Sequence, residues 1–259
     1  MGGLSGNLVL LGVLATVGTG LATGVGALPA LLTRNVPARL LDAMLGFAAG
    51  VMLAASAFSL ILPALELGQE LWGKWSIGAV LLGLVLGALF LALLDRVIPH
   101  IHFISGPEGP SSSLRRIWLL ILAITLHNFP EGLAVGVGFG SGKLEEAWVL
   151  AIAIGLQNMP EGLAVALPLI REGYRRGRAL WYATLSGLVE PIAGAIGVLA
   201  VQVARPLLPV ALAFAAGAML FVVSDEIIPE THRKGYEREG TFGVIIGFAV
   251  MMFLDNLFA

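Results

Sequence analysis

Long apolar runs separated by short polar loops dominate the chain. Eight of these runs are close to or above the roughly 20 residues that a helix needs to cross the hydrocarbon core of a bilayer. They lie at about 7–32, 38–65, 75–99, 115–139, 145–170, 177–204, 207–230 and 241–258. The pattern predicts an all-α integral membrane protein with eight transmembrane helices in a single domain that covers residues 1–259.

Lys and Arg residues concentrate in alternate loops. Twelve of the 15 lie in or beside the first, third, fifth and seventh loops, and only Lys74, Lys143 and Arg205 lie in the others. Because cytoplasmic loops carry an excess of Lys and Arg, the odd-numbered loops are predicted to be cytoplasmic and both termini extracytoplasmic. The longest loop, a Gly/Pro/Ser-rich linker at about 100–114, is then cytoplasmic.

The composition agrees with a bilayer as the main partner. The chain is 58% hydrophobic and 12% charged, whereas soluble domains carry about 25% charged residues. A net charge of -2 without a basic tract gives no indication of nucleic-acid binding. The absence of Cys excludes disulfides and thiolate metal ligands. The first apolar run lacks the basic flank of a secretory signal and is expected to be a retained helix.

The chain also contains an internal repeat. Residues 47–53 (FAAGVML) reappear 167 positions later as residues 214–220 (FAAGAML). Two further matches are Thr19–Leu21 with Ser186–Leu188, and Gly83, Gly87 and Asp95 with Gly243, Gly247 and Asp255. The predicted second helix runs outward and the seventh inward, so the chain is predicted to have a 3+2+3 inverted-repeat arrangement. Transporters use inverted repeats around a site at the midplane of the membrane.

The central pair of helices carries two near-copies of one polar motif. The copies are Leu126–Val135 (LHNFPEGLAV) and Leu156–Val165 (LQNMPEGLAV). Residues four apart share a helix face, so His127 aligns with Glu131, and Gln157 aligns with Glu161. Ionisable groups at this depth are costly and usually functional. The glycines of the two motifs, Gly132 and Gly162, are expected to let the two helices approach each other closely.

These side chains form a plausible ligand set for a metal ion. Imidazole, carboxylate and amide groups suit Zn²⁺ and also Mn²⁺ or Fe²⁺. Glu190, followed by Pro191, is a third carboxylate in mid-membrane. Three carboxylates in apolar surroundings repel one another and take up protons, which a divalent cation would displace. The alternative is that the Pro kinks and polar groups only shape the two helices.

The sequence resembles the ZIP (Zrt/Irt-like) family of divalent-metal transporters, in particular its bacterial GufA-type branch. The resemblance covers nearly the whole chain and is carried by Asp42–Gly50, Ala54–Pro63, both Pro-Glu-Gly motifs, Gly187–Pro191 and Ile228–His232. It implies eight helices in a bacterial inner membrane with both termini extracytoplasmic. It also implies a metal site between the fourth and fifth helices, closed by residues of the second and sixth.

The resemblance implies two adjacent metal positions. One metal would be bound by Met52, His127, Glu131, Gln157 and Glu161, and a second by Asn128, Glu131, Asn158, Glu161 and Glu190. On spacing alone, Met52 is a core residue. The chain departs from similar bacterial members in one respect, because Asn158 stands where they carry Asp. An amide lacks the negative charge, so the second position is expected to bind more weakly.

Two groups of polar residues flank this centre. On the predicted outer side, Ser59 lies on the same helix face as Met52 and could line an entrance with Glu66. A hydroxyl bonded to its own helix is the alternative. The predicted cytoplasmic side carries His100, His102, Asp225, Glu226, Glu230 and His232. These residues could form an exit relay, or they could be solvated helix ends.

The leading hypothesis is a transporter that moves Zn²⁺ and related divalent ions into the cytoplasm. The residues do not encode the direction of flux, so an exporter or sensor on the same fold is an alternative. An intramembrane metalloenzyme would need a motif such as His-Glu-x-x-His, which is absent, so no enzyme and no catalytic cofactor is predicted. Zn²⁺, Cd²⁺, Fe²⁺ and Mn²⁺ all accept these ligands, and the sequence is compatible with a homodimer.

The departure at Asn158 generates a test. Asn158→Asp restores a carboxylate at the second position and is expected to add or tighten one metal-binding event, because carboxylate binds divalent cations more strongly than amide. Titration calorimetry with Zn²⁺ measures the change. A titration curve identical to that of the unchanged protein would contradict the prediction.

Overall fold

The computed structural model describes residues 2–33, 36–102, 106–108, 116–232 and 235–258, and nearly all of them are helical. The helices are α1 (Gly2–Ala27), α2 (Ala38–Ala54), α3 (Leu62–Trp72), α4 (Ser76–Val97), α5 (Arg116–Ser141), α6 (Leu144–Arg171), α7 (Arg176–Gly187), α8 (Glu190–Val203), α9 (Leu208–Val222), α10 (Ile228–Thr231) and α11 (Glu237–Phe258). Two short strands, β1 (His100–His102) and β2 (Gly106–Glu108), pair antiparallel within the predicted linker.

The described part contains six helical stretches that are long and apolar enough to cross a membrane. One of them, Ala38–Val97, covers 60 residues, which would span about 90 Å as one straight helix. It is divided at Gly73, whose φ of +55° ends α3. Helix α5 is not among the six, since side chains near its amino-terminal end lie outside the described part. The architecture is that of a multi-pass membrane protein.

Three of the predicted helices are interrupted. The second and seventh each contain a π-helical segment, at Ala55–Ile61 and Val223–Ile227. Each segment ends close to a proline, Pro63 or Pro229, and proline leaves the carbonyl four residues back without its helical partner. The sixth is divided into α7 and α8 by a turn just before Glu190. Hydropathy predicted each of these three segments as one continuous helix, because the breaks leave the apolar character of the side chains unchanged.

The helices pack most extensively in four pairs. Helix α1 lies along α6, α5 along α8, α2 along α11 and α4 along α9. Helices α1, α5, α6, α7 and α8 thus form one group, and α2, α3, α4, α9 and α11 form another. The two groups meet mainly where α2 contacts α6 and where α5 contacts α9. The centre of the molecule is therefore enclosed by helices of both groups.

Glycines at matching positions of the internal repeat make matching contacts. Gly87 of α4 lies against the backbone of Phe214 in α9, and Gly247 of α11 lies against the backbone of Phe47 in α2. Phe47 and Phe214 are the first residues of the two repeated segments. Close approach of this kind requires a residue without a side chain. The same helix–helix contact is therefore built twice from repeated sequence.

These contacts predict different effects for two glycines of α4. A Cβ at position 87 would meet the backbone of α9, whereas a Cβ at position 78 has no atom within 4 Å. We expect Gly87→Ala to lower the free energy of unfolding by about 1–3 kcal/mol through overpacking. Gly78→Ala should leave it unchanged or raise it by up to about 1 kcal/mol. Thermal unfolding in detergent measures both, and equal stability of the two variants would contradict this packing.

Candidate metal site

The eight predicted ligands come from four helices. Met52 lies in α2, and Glu190 is the first residue of α8. The other six lie in α5 and α6: His127, Asn128, Glu131, Gln157, Asn158 and Glu161. All are buried except His127, which is partly buried. Met52 is fully buried in the apolar core, the position that spacing alone predicted.

Hydrogen bonds connect the polar residues of three helices. Gln157 Nε2 in α6 donates to Glu131 Oε1 in α5 at 2.7 Å. Asn158 Nδ2 donates to Glu190 Oε1 in α8 at 2.7 Å. Glu161 and Glu190 both lie close enough to act electrostatically on Glu131. The motif residues of α5 and α6 and Glu190 therefore form one connected polar centre inside the bundle.

Thr19 of α1 belongs to this centre, although the sequence marked it only as part of the internal repeat. Its hydroxyl donates to Glu190 Oε2, and its carbonyl accepts a hydrogen bond from Asn158 Nδ2 at 2.9 Å. The first helix carries three threonines, Thr16, Thr19 and Thr23, so polarity alone did not single out Thr19. Thr19 and Asn158 therefore each bond to a different oxygen of the Glu190 carboxylate.

Glu226 also lies at this centre, next to His127. His127 Nε2 is in contact with the Glu226 carboxylate, and the Glu226 side chain is almost fully buried. The sequence placed Glu226 with the exit group rather than with His127. The π segment Val223–Ile227 turns Glu226 inward, while its neighbour Asp225 is exposed and lines a groove between α4 and α9. Single π turns occur often at functional sites.

The remaining residues of the predicted exit group lie on different elements of the structure. His232 bonds through Nδ1 to the Ile228 carbonyl at 2.9 Å and through Nε2 to Thr241 Oγ1 at 3.0 Å, which ties the end of α10 to α11. Glu230 is half-buried in α10. His100 and His102 lie in β1, but their side chains are outside the described part of the chain. An exit relay through these residues remains a prediction.

The two predicted entrance residues line one cavity. Ser59 Oγ donates to Asp255 Oδ1 of α11 at 2.8 Å. Glu66 lies in the same cavity, of about 160 Å³, together with Asp255, Lys143 and Glu146. The hydroxyl of Ser59 therefore bonds to another helix rather than to its own. Asp255 was noted in the sequence only for its repeat position, since its contact with Ser59 joins residues far apart in the chain.

The donor set fits a cation. Several buried oxygens at the centre accept no hydrogen bond from the described residues, and they belong to Asn128, Glu131, Gln157, Asn158 and Glu161. Buried oxygens without partners are costly. A divalent cation would satisfy several of them at once.

The acidic and imidazole groups are not arranged around one point. Within the described residues, no three side chains of His, Asp or Glu are placed to hold a metal ion together. In the contacts above, His127 pairs with Glu226, and Glu131 and Glu190 each accept a hydrogen bond from an amide group. Amide and thioether groups make up half of the expected ligands. An arriving ion would replace some of these internal contacts.

The glycines of the two motifs have a different role from the one predicted. Gly132 of α5 lies against the backbone of Glu190 in α8, and Gly162 of α6 lies against the backbone of Thr23 in α1. The prediction that they bring α5 and α6 together is therefore wrong. Each glycine draws in a flanking helix, and Gly132 thereby brings the backbone of Glu190 close to Glu131.

The fold and this centre define a class of protein: a multi-pass membrane protein with a buried, cation-compatible polar centre between its helices. The family model described as "ZIP Zinc transporter" matches residues 105–255, and the chain belongs to this family. The resemblance seen in the sequence is confirmed.

Individual relatives agree. The chain is 45% identical to the zinc transporter GufA of Myxococcus xanthus, over 94% of this chain and 97% of that protein. It is 51% identical to the zinc transporter ZIPB of Bordetella bronchiseptica, over 91% of this chain and 77% of that protein. It is 40% identical to the human zinc transporter ZIP11, over 95% of this chain and 96% of that protein. The similarity therefore extends well beyond the central motifs.

The position of Thr19 generates a test. Thr19→Val keeps the shape of the side chain but removes the hydroxyl that bonds to Glu190, and we expect the free energy of unfolding to fall by about 1–3 kcal/mol. Thr19→Ser keeps the hydroxyl, so its free energy of unfolding should fall much less. Thermal unfolding in detergent without added metal measures both variants. A loss in Thr19→Ser as large as the loss in Thr19→Val would contradict the prediction.

Proposed function

We propose that the protein carries Zn²⁺ and related divalent transition-metal ions across the membrane into the cytoplasm, through the centre between α5 and α6. The observation that carries the proposal is the set of buried amide and carboxylate oxygens that accept no hydrogen bond from the described residues. They lie inside helices that cross the bilayer, where only protein or an ion can satisfy them. The names of the relatives, all zinc transporters, support the choice of ion.

The first ion position uses Met52, His127, Glu131, Gln157 and Glu161. Gln157 donates its NH₂ group to one oxygen of Glu131. Its own Oε1 and Glu131 Oε2 have no hydrogen-bond partner among the described residues. Two oxygens are thus available to an ion while this hydrogen bond stays in place. Imidazole, amide and carboxylate together suit Zn²⁺ and still admit Cd²⁺, Fe²⁺ or Mn²⁺.

The second ion position uses Asn128, Glu131, Asn158, Glu161 and Glu190. Here Asn158 already stabilises the Glu190 carboxylate by donating a hydrogen bond to it. An ion at this position has to compete with that bond and gains no charge from Asn158. The second position is therefore the weaker one and serves as a transient stop.

The route to and from the centre follows from the flanking contacts. Ser59, Glu66 and Asp255 line the cavity that we propose as the entrance. On the other side, Glu226 touches His127 and offers the first carboxylate beyond the centre. An ion released by His127 would pass to Glu226 and then to the predicted exit group: His100, His102, Asp225, Glu230 and His232.

We further propose eight membrane crossings in a 3+2+3 inverted repeat, with both termini outside the cytoplasm. The packing supports this arrangement: exchanging the repeat halves exchanges the pair α1–α6 with α8–α5, and the pair α2–α11 with α9–α4. Gly20 and Gly187, equivalent in the repeat, lie against each other's carbonyl groups. Rocking of the group formed by α1, α5, α6, α7 and α8 against the other helices would open the centre to each side of the membrane in turn. An exporter or a sensor on this fold is the alternative. A measurement of whether zinc crosses the membrane, and in which direction, distinguishes these functions from uptake.

Uptake into proteoliposomes that contain a zinc-sensitive dye tests the proposal. We expect His127→Ala and Glu131→Ala to lower zinc uptake by at least about tenfold, since each removes a ligand. Glu172→Gln, which alters an exposed carboxylate at the end of α6, is the matched control and should transport normally. Unchanged uptake in both alanine variants would refute the proposed centre. Loss of preloaded zinc without uptake would instead support an exporter.

A further inference from the structure

A single cationic side chain sits in the proposed entrance. Among the residues that line this cavity, all within the described part of the chain, Lys143 alone carries a positive charge. Glu66, Glu146 and Asp255 carry negative charges there. A lysine in this position is unexpected in a passage for divalent cations, because its ammonium group repels them and competes for the same carboxylates.

The local structure holds Lys143 over the cavity. It lies in the tight turn between α5 and α6, where Gly142 has a φ of +86°, and its backbone N–H donates to Ser141 Oγ at 3.1 Å. Its ammonium Nζ donates to Glu146 Oε1 at 2.9 Å. This hydrogen bond raises the pKa of Lys143, and the charges of Glu146, Glu66 and Glu70 add to the effect. The residue therefore stays charged at neutral pH.

The ion pair between Lys143 and Glu146 keeps the ammonium group in the cavity but is weak enough for another cation to break it. Both partners are partly exposed, with side-chain exposures of 42% and 40%, and ion pairs of this kind contribute little to stability. A divalent ion attracts the carboxylates with twice the charge of an ammonium group. A divalent ion can therefore take the place of Lys143 more readily than a monovalent ion.

We propose that Lys143 is a tethered counter-cation of the entrance, which occupies its carboxylates between transport cycles and sets how much external divalent metal is needed for uptake. The inference rests on the proposed transport function and adds a residue that determines its specificity. Removing the charge should make the cavity more negative, and so raise the local concentration of divalent ions. The screened interaction of one charge with an ion in the same cavity corresponds to a change of about two- to tenfold in the apparent affinity for that ion.

Zinc uptake kinetics provide the first test. Lys143→Met is expected to lower the apparent KM for zinc about two- to tenfold with unchanged kcat, and Lys143→Arg should behave as the unchanged protein does. Lys74→Met is the matched control, because Lys74 is on the same predicted face but lies near the Trp75 ring, 5.7 Å from its centroid, outside the cavity lining. An unchanged or raised KM in Lys143→Met, or an equal decrease in Lys74→Met, would overturn the proposal.

A second test does not depend on transport. Acetylation of Lys143 by an N-hydroxysuccinimide ester, followed by mass spectrometry, reports how firmly Glu146 holds the ammonium group. Added Zn²⁺ should accelerate the labelling of Lys143 but not of Lys74, also in the Glu131→Ala variant. Labelling that zinc leaves unchanged would overturn the role of Lys143 even if uptake is confirmed. Accelerated labelling without any uptake would confirm that zinc displaces Lys143 from Glu146 and would refute the transport function instead.

Discussion

A carboxylate inside a bilayer must obtain its hydrogen-bond partners from the protein or from an ion, because hydrocarbon offers none. Three carboxylates of this protein, Glu131, Glu161 and Glu190, are buried among its helices. Two of them receive an amide donor, from Gln157 and Asn158, and Thr19 donates to the other oxygen of Glu190. The second oxygen of Glu131 and both oxygens of Glu161 accept no hydrogen bond from the described residues, and a cation would satisfy them. The close helix contacts and the break before α8 serve this requirement, since they bring residues of separate helices within reach of one another.

Hydropathy was sufficient to locate the helices but not their breaks. Every crossing must be apolar toward lipid, so the boundaries of α5, α6 and α11 lie within a few residues of those predicted. The π segments and the α7–α8 turn depend on where individual backbone carbonyls find hydrogen-bond partners. Hydropathy averages the polarity of side chains and carries no information about these backbone contacts. Pro63 and Pro229 indicated the places of two breaks without indicating their form.

The site was predictable where one helix carries several of its members. The spacing of His127 and Glu131 places both on one face of α5, and the repeated motif does the same for α6. The contacts of Thr19 with Glu190 and of Glu226 with His127 were missed, because they depend on how separate helices are rotated against each other. Resemblance to a family names ligands but does not reveal which of them satisfy one another when no ion is bound.

The internal hydrogen bonds bear on the speed of exchange at the centre. When an ion leaves the proposed second position, Asn158 is already placed to bond to Glu190, so the loss of the ion is offset by a contact that forms at once. Each such bond to a charged group is worth about 1.5–3 kcal/mol, and the affinity for the ion is lowered by what it displaces. A storage protein gains from slow release, whereas conduction requires binding weak enough for the ion to leave. At the proposed second position, the amide of Asn158 would thus favour rapid turnover over retention.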